Sequence, residues 1–530
     1  MQQAMLDVFC YTSENFEPRN YMRGYVFTKN ALVMGTTGLT LFQQKNAVPL
    51  WSDCQYGRFL FEETLGDTTV IRTDPLGQEP LYYWQQGERW AVSNSVLLMV
   101  EQLKSQGVSV QPYQAAIDTF KMANQTLNGG QLLSGNTVVT GIKVVPLSHC
   151  IQIIRQGSVA RFSLEPLPQL PHYRDYQDAM FNYCSNWLGR VEAMARLKRP
   201  VKLALSGGFD SRSCLAILQN GKTSGELMFS ANSHSHDEDE FWIAKSAMEM
   251  IGEPLFKKVS KGVKRTCKLA PHVALRNSLL VHAGAKTNFG LRARINKTKD
   301  WHCIGGSVIG TFTMRNSFQT RSDAIQAKYS SIGAGLSAEI ASALNDNQID
   351  PNDELAMFHH YYHYRARFHY GMDLYTSQHS AQLHPLLDPT LIQASVCAGK
   401  DYVRNNNVNR DIMLLMRPEL LQVPFDGGRS ASAESFITSF GASDLQPVNY
   451  ELYGVFDDGY AFDANLSAAG DSEPVDIYAD ILAHKSEALH AVANQFGFSD
   501  DYYKKALNEL KNGSKFKKAG VLLGLLEIFD

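Results

Sequence analysis

Hydrophobic positions change their period partway along the chain. Up to about residue 165 they come in short apolar and aromatic runs, such as Arg23-Gly24-Tyr25-Val26-Phe27 and Phe59-Leu60-Phe61, separated by Gly and Asn/Asp turns. That pattern predicts strands. Leu164-Glu165-Pro166-Leu167-Pro168-Gln169-Leu170-Pro171 predicts a break in regular structure and a linker. From Tyr173 the spacing turns helical, and Tyr176-Gln177-Asp178-Ala179-Met180 through Ala193-Met194 predicts one long helix. Val201–Leu205 then predicts a strand and Ser211–Gln219 a helix. Leu227-Met228-Phe229-Ser230 predicts a second strand, followed by a helix with an acidic start at Asp237-Glu238-Asp239-Glu240 that reaches Met250. This strand–helix–strand–helix order predicts a parallel sheet with its ligand at the carboxyl edge. The remainder to Asp530 reads as mainly helical, with no internal repeat.

A chain of 530 residues calls for about two or three domains. The change of period suggests one over 1–165 and another over 172–530. The hydrophobic share of 44% and charged share of 19% are those of a globular protein with a substantial core. A net charge of −3 offers no electrostatic footprint for nucleic acid or an anionic membrane. No basic-then-apolar leader and no apolar run of the roughly 20 residues a spanning helix needs is seen, so a cytoplasmic protein is expected. The eight cysteines are scattered without a Cys-x-x-Cys pair, which predicts free, mostly buried thiols rather than a zinc site. Nothing in the sequence sets an oligomeric state.

The strongest chemical signal is Ser206-Gly207-Gly208-Phe209-Asp210-Ser211, between a predicted strand and a predicted helix. A glycine turn there leaves backbone N–H groups pointing outward, with the positive end of the helix dipole behind them, and such a place holds phosphate. Gly207 and Gly208 let the backbone approach a pyrophosphate, Ser206 and Ser211 offer hydroxyls, and Asp210 is a ligand for Mg²⁺. The spacing is neither Gly-x-x-x-x-Gly-Lys-Ser/Thr nor Gly-x-Gly-x-x-Gly.

The hexapeptide resembles the Ser-Gly-Gly-x-Asp-Ser signature of PP-loop ATP pyrophosphatases. Upstream, Asp74-Pro75-Leu76-Gly77-Gln78-Glu79-Pro80-Leu81-Tyr82-Tyr83 resembles the hallmark of asparagine-synthetase N-terminal domains. Downstream, His384-Pro385-Leu386-Leu387-Asp388-Pro389 resembles a segment of the synthetase domain. Together they cover most of the chain and resemble the class B asparagine synthetase superfamily, which includes β-lactam and carbapenam synthetases and lasso-peptide cyclases. The resemblance implies an α+β N-terminal domain, an Ntn-like αββα sandwich, followed by an α/β PP-loop synthetase domain with a parallel sheet and many helices. It also implies ATP and Mg²⁺ as cofactors. Their contacts would be Ser206, Gly207, Gly208, Asp210, Ser211, Phe229, Ser230, Gly305, Gly306 and Ser307, with Asp210 as the metal ligand.

Four departures refine the expectation. Glutamine-dependent relatives place a catalytic Cys after the initiator Met, whereas Gln2 stands here and Cys10 lies inside the chain without a free amine. A structural Cys10 and no glutamine hydrolysis are expected. In Ile304-Gly305-Gly306-Ser307-Val308-Ile309-Gly310-Thr311, Val308 occupies the position of the family's second metal carboxylate. Gln422–Arg429 offers Arg429 where the family uses a lysine; an arginine stabilises charge but donates no proton at neutral pH. No Tyr sits at 304–311 to build the family's Tyr–Glu base, and Glu339 is a candidate base by spacing alone.

Two other constellations read as structural. His359-His360-Tyr361-Tyr362-His363-Tyr364 predicts an aromatic helix with hydrogen-bonded histidines, and Arg365 and Arg367 beside it are candidates to line a polar pocket. The basic stretch Lys511–Lys518 predicts a solvated surface. The expected function is an ATP-dependent, AMP-forming ligase of natural-product (antibiotic) biosynthesis. It adenylates a small-molecule or peptide carboxylate and condenses it with an amine, either of the same molecule, by cyclisation, or of a second one. The alternative is a catalytically degenerate homologue that binds a nucleotide or a partner.

Overall fold

Among the described residues the β-patterned first third forms ten strands: β1 (Cys10–Thr12), β2 (Tyr21–Phe27), β3 (Ala31–Met34), β4 (Tyr56–Leu65), β5 (Thr68–Thr73), β6 (Tyr82–Gln86), β7 (Arg89–Ser93), β8 (Lys143–Val144), β9 (His149–Gln156) and β10 (Val159–Pro166). Eight more follow among helices: β11 (Val201–Leu205), β12 (Leu227–Ala231), β13 (Phe256–Lys257), β14 (Arg265–Lys268), β15 (Arg294–Lys297), β16 (Trp301–Cys303), β17 (Ala381–Leu383) and β18 (Glu451–Tyr453). The computed structural model describes residues 7–122, 131–157, 159–220, 227–231, 238–253, 256–257, 265–268, 271–285, 294–297, 300–306, 317–371, 381–429, 435–459, 477–513 and 517–530.

Two sheets built largely from the first third share a core. One is four-stranded, β1-β7-β6-β8; the other is seven-stranded, β10-β9-β5-β4-β2-β3-β18. Alternation along the strands sends Leu60, Ile71, Ile151 and Ile153 of the larger sheet against Trp90 and Val92 of the smaller. The opposite face of the larger sheet (Met22, Val26, Val33, Phe59, Phe61) packs on Leu39 and Phe42 of the helix Gly35–Lys45. The helix Val96–Ser105 joins Tyr82, Trp84 and Ala91 of the smaller sheet to a core shared with the helices Ile477–Gln495, Asp500–Asn512 and Lys518–Phe529. The chain's end therefore returns to its beginning, as does β18, which pairs parallel with β3.

The third sheet has the order β13-β12-β11-β16-β17, and every pairing in it is parallel. Helix Tyr176–Arg196 starts where expected because the Asp175 carboxylate accepts from the Asp178 amide at 2.8 Å. Its residues Tyr183, Cys184, Trp187 and Val191 join Leu203, Leu205 and Leu215 in the largest core, together with Tyr25, Phe27 and Leu32 of the seven-stranded sheet.

Two of the motifs read from the sequence hold this architecture together. The Asp74 carboxylate accepts the backbone N–H groups of Leu76, Gln78 and Glu79 at 3.1–3.2 Å and so folds its own turn. Gly77, at φ +60°, closes that turn. Burial raises the Asp74 carboxyl to about 6 despite these bonds. Glu79 then bridges Arg58 (2.9 Å) and Arg23 (2.6 Å), and Arg58 also reaches the Gln382 side chain on β17. In the other motif, Asp388 caps the helix Pro389–Ala398 through the Thr390 amide, accepts from Trp187 Nε1 at 3.0 Å and pairs with the buried Arg190.

One expectation needs correction. The predicted break at 164–171 begins later, because β10 runs through Pro166 opposite His149. A proline is tolerated there because β10 is an edge strand that ends at that residue. The described residues after 250 are mainly helical, as expected, and the strands among them, β13 to β18, are two to four residues long, too short to show a period of two.

Candidate phosphate-binding site

Strand order reverses once in the parallel sheet. From β11 the chain adds β12 and β13 on one side, then β16 and β17 on the other. In open parallel sheets, ligands bind at the carboxyl ends of the strands flanking such a reversal. The flanking strands are β11 and β16, and they lead into Ser206–Gly208 and Ile304–Gly306. The two segments touch. A Cβ on Gly305 would stand 3.0 Å from Ser211 Cα and 3.1 Å from Ser211 N, so a glycine lets this backbone lie against the first turn of helix Phe209–Asn220.

The glycine turn is shaped by its own hydroxyls. Ser211 Oγ accepts the Ser206 amide at 3.1 Å and lies 3.0 Å from Ser206 Oγ, which in turn accepts the Gly208 amide at 3.4 Å. Ser211, expected to offer its hydroxyl to phosphate, is buried, and that hydroxyl closes the turn. Gly207 and Gly208 differ. A Cβ on Gly207 would meet Asp426 Cβ at 2.9 Å, while on Gly208 the nearest atoms are Ser206 Oγ at 3.6 Å, Asp426 Oδ2 at 3.8 Å and Arg429 Nη2 at 3.9 Å. Gly208 thus has room for a Cβ, with a carboxylate and a guanidinium at van der Waals distance from it.

The segment carrying Arg429 is held by Arg212, for which the sequence signalled no role. Its guanidinium donates to the carbonyls of Val423 and Pro424, both at 2.6 Å, and lies 3.8 Å from the Phe425 ring centroid. Phe209 stacks on the same ring at 3.7 Å and 10°. Burial pulls the Arg212 guanidinium down to about 10, which still leaves it charged at neutral pH. The Asp426 amide donates to the Gly207 carbonyl at 3.1 Å, and Arg429 pairs with the Asp426 carboxylate. The structure therefore brings together Ser206–Ser211, Gly305 and Arg429.

Asp210 is in the first helical turn. Asn409 Nδ2 donates to its Oδ1 at 2.8 Å, leaving Oδ2 outside that bond. Burial pushes the Asp210 carboxyl up, and Asn409 and Arg429 pull it back only in part. A carboxylate whose burial outweighs the positive charge its neighbours offer fits a divalent cation. The backbone at Gly208, with the Arg429 guanidinium nearby, fits phosphate oxygens. No sequence motif marked Asn409; the unusual run Asn405-Asn406-Asn407-Val408-Asn409 was the signal on offer.

Other predicted residues fall elsewhere. Glu339 was expected as a base, or else as a solvated helix residue, on spacing alone. It is 4% exposed, and its carboxylate accepts from Tyr113 Oη and Ser134 Oγ, both at 2.5 Å, and from Asn136 at 3.3 Å. All three partners come from the first third of the chain and none from the glycine turn. Phe229 and Ser230 lie in β12, in register with Leu203 and Ala204 of β11. Gly306 follows Gly305, whereas Ser307 and Val308 lie outside the described residues.

Arg367, a candidate to line a polar pocket, is buried, donating to the His363 and Val145 carbonyls and bracing a π-helical turn over Tyr361–Arg365. His360 Nε2 donates to the Leu133 carbonyl, 2.7 Å away, and burial lowers the ring to about 4. Lys517, Lys518 and Ala519 direct their backbone amides onto Glu509, which caps the last helix. Among the described residues no His/Cys/Asp/Glu cluster has the makings of a metal centre by itself, and no helix is long and apolar enough to cross a membrane. No protein-family model matches the chain, and no curated protein does.

Proposed function

We propose that the protein is an ATP-dependent, AMP-forming carbon–nitrogen ligase. One observation carries this reading: the glycine turn after β11, Gly305 after β16 and the Asp426–Arg429 segment converge where the parallel sheet reverses its order. The finer fold reading goes with it, an Ntn-like αββα first half and a PP-loop synthetase second half. In the first half Cys10 is a structural thiol, pushed up to about 12 by burial, and not a glutaminase nucleophile.

Gly207 and Gly208 let the backbone approach the β- and γ-phosphates, and the helix N-terminus and Arg429 offset their charge. Asp210 would hold Mg²⁺, which supplies further charge neutralisation on the phosphates when bound. A substrate carboxylate oxygen attacks the α-phosphorus, and the bond to the bridging oxygen breaks with pyrophosphate leaving. An amine then attacks the acyl carbon of the adenylate, AMP leaves, and an amide remains. Proximity is the main source of rate, since both reactants are held at one strand edge. Arg429 stabilises charge in this scheme, and the amine's proton goes to another base. The substrates are a small-molecule or peptide carboxylate and an amine, in the same molecule or a second one.

ATP–pyrophosphate exchange with pooled carboxylic acids tests the proposal. Exchange in at least one pool, lost in Asp210→Ala, is expected. The pairing of Arg429 with Asp426 favours a second reading, a nucleotide-binding homologue without turnover, because it partly neutralises the guanidinium beside Gly208. Nucleotide binding that needs no Mg²⁺, with no exchange in any pool, would select that reading.

A further inference from the structure

Where the chain passes from its first half to its second, it borders a cleft of about 710 Å³, within the range of roughly 300–1,000 Å³ typical of ligand sites. The walls include Lys29 and Gln55 beside the seven-stranded sheet, Tyr173 after the break, Asn182 and Asn186 of helix Tyr176–Arg196, and Gln393 of helix Pro389–Ala398. The two helices pack on each other, and the buried Arg190–Asp388 pair joins them, so the cleft has firm walls. None of its lining belongs to the glycine turn or to the segments that meet there. Five of the lining residues are Asn or Gln, one is a lysine and none is acidic. Such a lining suits a ligand that is neutral and hydrogen-bonding along most of its length and anionic where it meets Lys29.

Two of the amides have their polarity fixed by the protein. Asn182 Nδ2 donates to the Asp178 carbonyl at 2.8 Å, which leaves Oδ1 as the acceptor for a ligand. Gln393 Oε1 accepts the Tyr173 backbone amide at 3.1 Å, which leaves Nε2 as the donor. Among the described residues the side chains of Gln55 and Asn186 bond no protein group, and the Lys29 ammonium has no ion pair. A peptide group carries one N–H and one C=O, and it is the ligand whose own polarity matches an amide wall of this kind. The spacing agrees. Asn182 and Asn186 are one helical turn apart, about 6 Å along the axis, and alternate residues on one edge of an extended chain repeat at about 6.7 Å.

We propose that this cleft binds an extended peptide segment carrying a carboxylate side chain. Asn182 and Asn186 pair with its successive peptide groups from one wall, Gln393 donates to it from the other, and Lys29 meets the carboxylate. The site is separate from the glycine turn, and the proposal holds whether or not that turn binds nucleotide.

The test uses the full chain, without nucleotide, in saturation-transfer NMR against pools of end-capped hexapeptides randomised except for one fixed central residue. Transfer to the pool with a fixed glutamate is expected, about threefold stronger than to the pool with a fixed glutamine. Asn186→Leu, close in volume and unable to hydrogen-bond, is expected to weaken transfer about tenfold to both pools. Lys29→Glu changes an exposed residue that the fold does not need, and it is expected to reverse the preference toward a pool with a fixed lysine. Should Asn186→Leu fail to fold, the reversal in Lys29→Glu still decides the matter. No transfer from wild-type protein to any peptide pool overturns the proposal, as does transfer that both substitutions leave unchanged. Stronger transfer to a pool of acidic oligosaccharides, lost in the same two variants, also overturns it and makes the cleft a saccharide site.

Discussion

The backbone amide of Asp426 donates to the carbonyl of Gly207 across 3.1 Å. Through it, a late segment of the chain forms one wall of the turn that follows β11, and the two glycines of that turn acquire different duties. Gly207 is packed tightly against Asp426, while Gly208 has room for a Cβ beside Asp426 Oδ2 and Arg429.

A pair of alanine substitutions separates those duties. Gly207→Ala forces a Cβ into Asp426 and is expected to cost about 1–3 kcal/mol of stability as well as nucleotide binding. Gly208→Ala meets nothing closer than 3.6 Å and its φ is not in the left-handed region, so stability should hold while nucleotide affinity falls. Urea denaturation and titration with an ATP analogue report the two effects; equal behaviour of the two variants would contradict the assignment.

Arg212 supports the wall from behind. Lysine keeps the charge but cannot satisfy two carbonyls at once while stacking on Phe425. Arg212→Lys is expected to cost about 2–3 kcal/mol and to expose Arg417–Arg429 to limited proteolysis. Unchanged melting and an unchanged cleavage pattern would show that the segment is held in some other way.

Arg190 and Asp388 form a buried ion pair between the long helix and the His384–Pro389 motif. Asp388→Ala leaves a buried guanidinium unpaired and removes a helix cap, a loss of about 3–5 kcal/mol. The double variant Arg190→Met/Asp388→Leu should recover part of it, as read from denaturation midpoints. No recovery would locate the main contribution in the cap and in Trp187.

His360 gives the protein an acid-sensitive contact. Burial lowers it from 6.5 to about 4, so between those values the unfolded chain binds the proton that the folded chain refuses. Stability contributed by the neutral ring is complete above 6.5 and is lost as pH falls toward 4, by up to about 1.4 kcal/mol per pH unit. His360→Gln keeps a donor for the Leu133 carbonyl and removes the titration. Its stability should fall less steeply over that range, and an identical slope would assign the acid sensitivity to other groups.

The segment Val201–Met250 was legible because buried parallel strands are short apolar runs and the helices between them show their own period. The glycine turn was legible for a related reason: its residue types follow from local backbone demands. Arg212 and Asn409 were not, since each acts on a partner about 200 residues away that local patterning does not reveal. Glu339 misled for the same cause. Its spacing from the Gly305 loop was compatible with a base, but its partners Tyr113 and Ser134 come from a part of the chain that spacing does not address. β18 was invisible because three residues carry no period, and its pairing with β3 is set by tertiary packing.

Isothermal titration of the full chain with a non-hydrolysable ATP analogue, with and without Mg²⁺, tests the central claim most directly. The account predicts saturable binding that strengthens with Mg²⁺ and is lost in both Gly208→Ala and Asp210→Ala. No binding by the wild-type protein, or binding that neither substitution alters, would contradict it.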